Sequence, residues 1–246
     1  MQVIVVMEFI EWLEGSTLGV VEEREFRCVP DSSLTFLTAK ETVEEVSQVF
    51  GPVFKNMVAR YALEFEVEKL GCEKPEGVET FEEVSDFIAK NLDKYPDGFC
   101  ALIYGMLKAE RLLQGGTGAG ARSAAIDAIR NVIKKSGLLD EIVGSTKDPY
   151  EAMLKAGEIY EKLNVESPIK VRKLADGSVE VVALDCPYAD ACKRAVREGI
   201  RRMIGNVECI ELILDWATIE IVTEEKFDYS LEHYDPPRCS GKLFRV

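Results

Sequence analysis

The spacing of apolar residues changes at Ser167. Upstream they recur at helical intervals, as in Val43, Val46, Phe50 or Val84, Phe87, Ile88, Leu92. Downstream they alternate two by two, in "IKVRKL", "VEVVALD", "ECIELIL", "TIEIVT", "FDYSLEHY" and "GKLFRV". This order excludes the regular strand–helix alternation of a parallel α/β fold. It predicts α+β: a mostly helical first two-thirds, then an antiparallel sheet interrupted by one helix. The 246 residues allow one large domain or two smaller ones sharing an interface.

Local signals place the elements. "VVEEREFRCV" reads as a strand after a turn at Gly15. Val43, Val46, Phe50, Val53, Met57, Tyr61 and Phe65 form a helical stripe that Gly51-Pro52 kinks or splits. "GCEKPEG" is a linker, and Thr80–Glu83 has the spacing of a capping box. A helix follows "YPDG", another follows "QGGTGAGAR", and Asp148-Pro149 supplies N-cap and N1 for a third. "ADG" joins two strands as a hairpin, and Pro187–Gly205 reads as a helix opened by proline and closed by glycine.

Composition removes some functions. Asp and Glu outnumber Lys and Arg by 44 to 30, a formal charge of −14, which repels phosphate backbones and argues against nucleic acid as a partner. "MQVIVVMEFIEWLEG" lacks a basic leader and turns acidic at once, so it fits neither a signal nor a transit peptide. No apolar run approaches the ~18 residues of a membrane span. No membrane partner and a cytoplasmic location are therefore expected. "GGTGAGAR" has Ala121 and Arg122 where a phosphate loop needs lysine and a hydroxyl, so it reads as a helix connection. Lys193, Arg194, Arg197, Arg201 and Arg202 form either a docking patch for an anionic group or the solvated face of an amphipathic helix.

Seven cysteines and one histidine remain. Cys28, Cys72 and Cys100 are scattered and read as core packing. Cys186, Cys192, Cys209, His233 and Cys239 crowd into the last quarter, and thiolate and imidazole are the ligands Zn²⁺ prefers. The spacings are not those of a zinc finger, but a site built from a helix start and strand ends does not need short spacing. "YDPPR" is a turn that should bring His233 and Cys239 together. The alternative is plain packing: strict alternation sets His233 with Phe227, Tyr229 and Leu231, and Cys209 with Glu211 and Ile213.

"GAGARSAAIDAI", "DPYEAMLKAGEIYEKLNV", "IKVRKLADGSVEVVALDCP", "DACKRAVREGIRRMIG" and "EHYDPPRCSGKLFRV" together resemble the vinyl-4-reductase-type, or hydrocarbon-binding, domain family. The resemblance covers roughly residues 97–246, with residues 1–96 left as a helical N-terminal region, a candidate for homodimerisation. It implies a Zn²⁺ site with His233 where the family usually has cysteine, Cys239 in the closing turn, and Cys186 and Cys192 completing the set. Cys209 stays open as a substitute. Ser230 stands where some members supply a glutamate. The resemblance also implies an apolar pocket for a small hydrophobic molecule, for which Phe99, Ile103, Tyr104, Met106, Ile159, Tyr160 and Trp216 are the candidates. The implied role is a sensor or carrier. A reductase or enzyme subunit acting on a vinyl-bearing tetrapyrrole, and an accessory protein docking to a larger complex, are the alternatives.

Overall fold

Proline and glycine set the first helical boundary. In the computed structural model, which describes residues 19–27, 31–114, 119–163, 167–205, 207 and 209–246, Gly51 ends helix α1 (Ser32–Phe50) at φ 81° and Pro52 opens α2 (Pro52–Leu70). The expectations placed on Gly15, on Cys28 and on the centre of the glycine-rich run lie outside the described residues. Asp31 caps α1, its carboxylate accepting from Leu34 N at 2.9 Å. The capping box of α3 (Phe81–Asn91) is present: Glu83 N donates to Thr80 Oγ1 at 3.2 Å and Thr80 N donates to Glu83 Oε2 at 2.9 Å. Helices α4 (Phe99–Gln114) and α5 (Ala119–Ser136) follow, then α6 (Pro149–Leu163), where Asp148 Oδ1 accepts from Tyr150 N at 2.8 Å. No helix among the described residues is long and apolar enough to cross a membrane.

Strands β1 (Val20–Phe26), β2 (Ile169–Leu174), β3 (Val179–Ala183), β4 (Phe227–Asp235) and β5 (Arg238–Arg245) form one antiparallel sheet in the order β1-β2-β3-β5-β4. The fold is α+β, as the change of period predicts. The 96/97 boundary is crossed by packing, however. Strand β1 pairs along β2, α2 packs on α4, and one core runs from Phe26 and Val58 to Tyr160 and Leu243.

Two corrections concern the last third. "ECIELIL", from Ile210 onward, and "TIEIVT", read as strands, belong to a single helix, α8 (Ile210–Thr223). This helix lies between α5 and α6 on one side and β4 on the other, and nearly all of its residues are buried. A helix covered all round has no polar face, so its Ile, Leu and Val mimic a buried strand. Two of its polar residues pair across the core: Thr218 shares a 2.6 Å hydrogen bond with Tyr160, and Glu220 accepts from Phe227 N at 3.0 Å. The helix expected over Pro187–Gly205 is shorter, α7 (Ala189–Arg197), because the chain turns at Gly199 with φ 69°.

The tightest helix contact is at Gly105 of α4. A Cβ there would lie 2.6 Å from Val58 O and 3.1 Å from Ala62 N of α2. Gly105→Ala is therefore expected to part the two helices and cost about 2 kcal/mol. The measurement is a lower denaturant midpoint at unchanged slope.

Candidate functional site

Three separate segments converge beside β3 and β5. Ala183 pairs with Cys239 across the sheet, so the chain leaving β3 starts next to that cysteine. Cys186 N then donates to Pro237 O at 2.8 Å, which ties the loop to the β4–β5 turn. Cys192 lies in α7, and Cys209 is the N-cap residue of α8. The thiol-bearing residues Cys186, Cys192, Cys209 and Cys239 all line one cavity of about 20 Å³, together with Arg201, Glu211 and Tyr234. A space of that size accommodates about one water or one ion.

Burial governs the electrostatics. It pushes the Cys186 thiol well above the usual range, Cys209 to about 12 and Cys239 to about 11. Cys192 is raised too, by burial first, with the nearby Arg201 charge opposing it. Left to themselves the sulfurs are neutral thiols, and none is in a disulfide. Burial also raises the Glu211 carboxyl, to about 7, against the hydrogen bond it accepts from Ser167.

Arg201 is 7 % exposed, and its Nη1 donates to Cys192 Sγ at 3.1 Å. Among the described residues it has no carboxylate within ion-pair distance. A buried guanidinium without a counter-charge is costly. It faces the Cys192 sulfur, the Arg202 carbonyl oxygen, to which its Nε donates at 3.3 Å, and the Tyr234 ring, 5.6 Å away. The Tyr234 hydroxyl is buried with no hydrogen-bond partner among the described residues. A cavity wall that presents thiols, a guanidinium and an orphaned hydroxyl suits a polar or ionic occupant better than an apolar one.

His233 is placed differently from the expectation. Strict alternation would set it on the inner face with Leu231, which lines the cavity. A bulge at Glu232 inserts one residue between the Leu231–Gly241 and His233–Ser240 pairs. One inserted residue exchanges the faces of everything after it. Tyr234, opposite Cys239, takes the cavity position and His233 does not line the cavity. Of the expected ligands, Cys186, Cys192 and Cys239 are brought together, with Cys209 as the fourth thiol. Among the described residues, no three His, Cys, Asp or Glu side chains stand at a spacing that holds one metal ion, so the thiols share a cavity without converging on a point.

The residues expected to line an apolar pocket are dispersed. Phe99, Ile103, Tyr104 and Met106 are buried along α4, with Phe99 edge-on to Tyr188 at 5.6 Å. Tyr104 donates to Glu198 at 2.7 Å beneath Arg194, a link between α4 and the end of α7. Ile159 is half-buried and Tyr160 buried on α6, and Trp216 of α8 meets Tyr229 edge-on at 5.4 Å. A molecule touching all of them would have to part the helical layers. Glu211 and Tyr234 were not expected at a site, and Arg201 was expected only within the basic run, as a docking patch or a solvated helix face. Only the cysteine crowding pointed toward it.

Compared with family models, with curated proteins and with solved structures, the chain finds no match.

Proposed function

We propose that the chain is a zinc-binding protein in which Cys186, Cys192, Cys209 and Cys239 hold a closed, structural Zn²⁺ centre. The observation that carries this reading is a small cavity lined by four thiols from three segments, with a buried Arg201 that lacks a carboxylate among the described residues. Four thiolates on one divalent ion carry two net negative charges, and Arg201 beside Cys192 offsets one of them. Zn²⁺, when bound, supplies the cation that lets buried thiols lose their protons. Binding would draw the sulfurs inward from their present spacing. It would also pin the β3–α7 loop, the start of α8 and the β4–β5 hairpin to one point. With all donors supplied by protein no position is left open for substrate, which favours a binding or carrier protein over a metalloenzyme. The hydrophobic ligand and the sensor or carrier role rest on the family resemblance.

The test is metal analysis of the purified full chain. About one zinc per chain is expected, and its removal by a chelator should lower the thermal midpoint by many degrees. A metal-free chain whose melting ignores both zinc and chelator would sink the reading.

A further inference from the structure

In the metal-free chain the positive charge of Arg201 stands without a carboxylate partner among the described residues. Its Nη1 donates to Cys192 Sγ and its Nε to Arg202 O, and Nη2 has no acceptor among those residues. A guanidinium stays charged at any ordinary pH, and this one is 7 % exposed. The carboxylate on the same cavity wall, Glu211, accepts from Ser167 and forms no ion pair with Arg201. We infer that the metal-free chain binds one small anion, of the size of chloride, in the thiol cavity, held by Arg201 and the Tyr234 hydroxyl. The inference goes beyond the zinc centre and does not depend on it.

Charge, donors and size support it separately. Water in the cavity would solvate the guanidinium without neutralising it, whereas an anion does both. Tyr234 lines the cavity with its ring 5.6 Å from the guanidinium, and its buried hydroxyl has no partner among the described residues. An O–H and a free guanidinium N–H on one wall are the donors an anion needs. A space of about 20 Å³ admits one ion of atomic size and excludes the five heavy atoms of phosphate or sulfate. Val181, Ala183, Leu212 and Leu231 supply apolar wall, which favours a halide that gives up its water readily. One ion fills the space, so zinc and the halide exclude each other. Thiolates balance Arg201 when zinc is bound, and the halide balances it when zinc is absent.

Chloride is the probe, and its chlorine-35 linewidth over the chelator-stripped full chain reads the site. The parent should broaden the line, and Arg201→Gln should remove that excess. Tyr234→Phe, which keeps the ring, should weaken chloride binding about three- to tenfold and carries the comparison alone if Arg201→Gln does not fold. Bromide should narrow the line by displacement, while gluconate at equal ionic strength should not, which separates binding from screening. Zinc titration against a competing chelator gives the second measurement. Replacing gluconate by chloride, from about 10 to about 300 mM, should lower the parent's zinc affinity about threefold or more and leave that of Arg201→Gln unchanged. A parent line no broader than that of either variant, or a zinc affinity indifferent to chloride in a chain that binds zinc, overturns the anion site and leaves the zinc centre standing. Broadening that Arg201→Gln removes, in a chain that takes up no zinc, upholds the anion site and fails the zinc reading.

Discussion

Cys209→Ser is expected, on the zinc centre proposed above, to weaken zinc binding about a hundredfold and to remove roughly 3 kcal/mol of stability in the presence of metal, while His233→Ala leaves the metal content unchanged. The magnitude follows from the ~10–16 kcal/mol that a structural zinc site contributes when four ligands share it, one thiolate being about a quarter. Serine keeps the size of the side chain, so little of the loss comes from packing. The contrast between the two residues is the informative part. His233 is the only histidine in the chain and stands beside the β4–β5 turn, yet the bulge at Glu232 sets it opposite Ser240 and off the cavity wall. Cys209 is remote in sequence from the hairpin and lines the cavity. Cys72→Ser, at an exposed position, controls for loss of a thiol as such. Titration with zinc and a competing chelator measures the affinities, and chemical unfolding with and without zinc measures the stabilities. Metal lost from His233→Ala and kept by Cys209→Ser would reverse the assignment of the fourth ligand.

What could be read from the sequence was whatever local chemistry decides. Pro52, the Thr80–Glu83 box, the Asp148 cap and the Ala175-Asp176-Gly177 turn each act within a few residues, and the structure has all of them. Misreadings arose where distant packing decides. Helix α8 carries strand-like residues because it is enclosed by α5, α6 and β4, none of which is adjacent to it in a way that local pattern reveals. On α2 the expected stripe was Val53, Met57, Tyr61 and Phe65. Val53 is exposed, and the buried face includes Phe54, Val58, Ala62, Phe65 and Glu66. The face is turned by about one residue because α3, α4 and α1 surround α2 from several sides. For the site, the crowding of cysteines was visible, but not whether His233 or Tyr234 lines the cavity. That depended on a bulge of one residue, and nothing in "SLEHYD" announces an unpaired Glu232. Arg201 was placed on a helical face with Lys193 and Arg197. Once α7 ends at Arg197, its side chain is free to turn back toward Cys192.

Glu66 supplies the other large effect, a fall in stability between about pH 4.5 and pH 7 that a neutral residue abolishes. It lies near the end of α2 at 0 % exposure, and neither carboxylate oxygen has a hydrogen-bond partner among the described residues. Burial alone raises its pKa from 4.5 to about 7. Below about pH 4.5 the carboxyl is neutral in both folded and unfolded chains, and it costs nothing through ionisation. Between 4.5 and 7 the unfolded chain has released a proton that the folded protein still holds, so rising pH favours unfolding. Above 7 both are ionised and the folded state carries the whole penalty, about 3 kcal/mol for a shift of this size. Glu66→Met, similar in volume and without charge, should match the parent near pH 4 and exceed it by about 3 kcal/mol at pH 8. The buried Glu211 carboxyl is also raised to about 7, so the quantity to measure is the parent–variant difference from urea unfolding at both pH values. That difference should grow smoothly through the window. Parallel profiles, with the variant equally displaced at pH 4 and pH 8, would show that Glu66 has a partner in solution and that the charge is compensated.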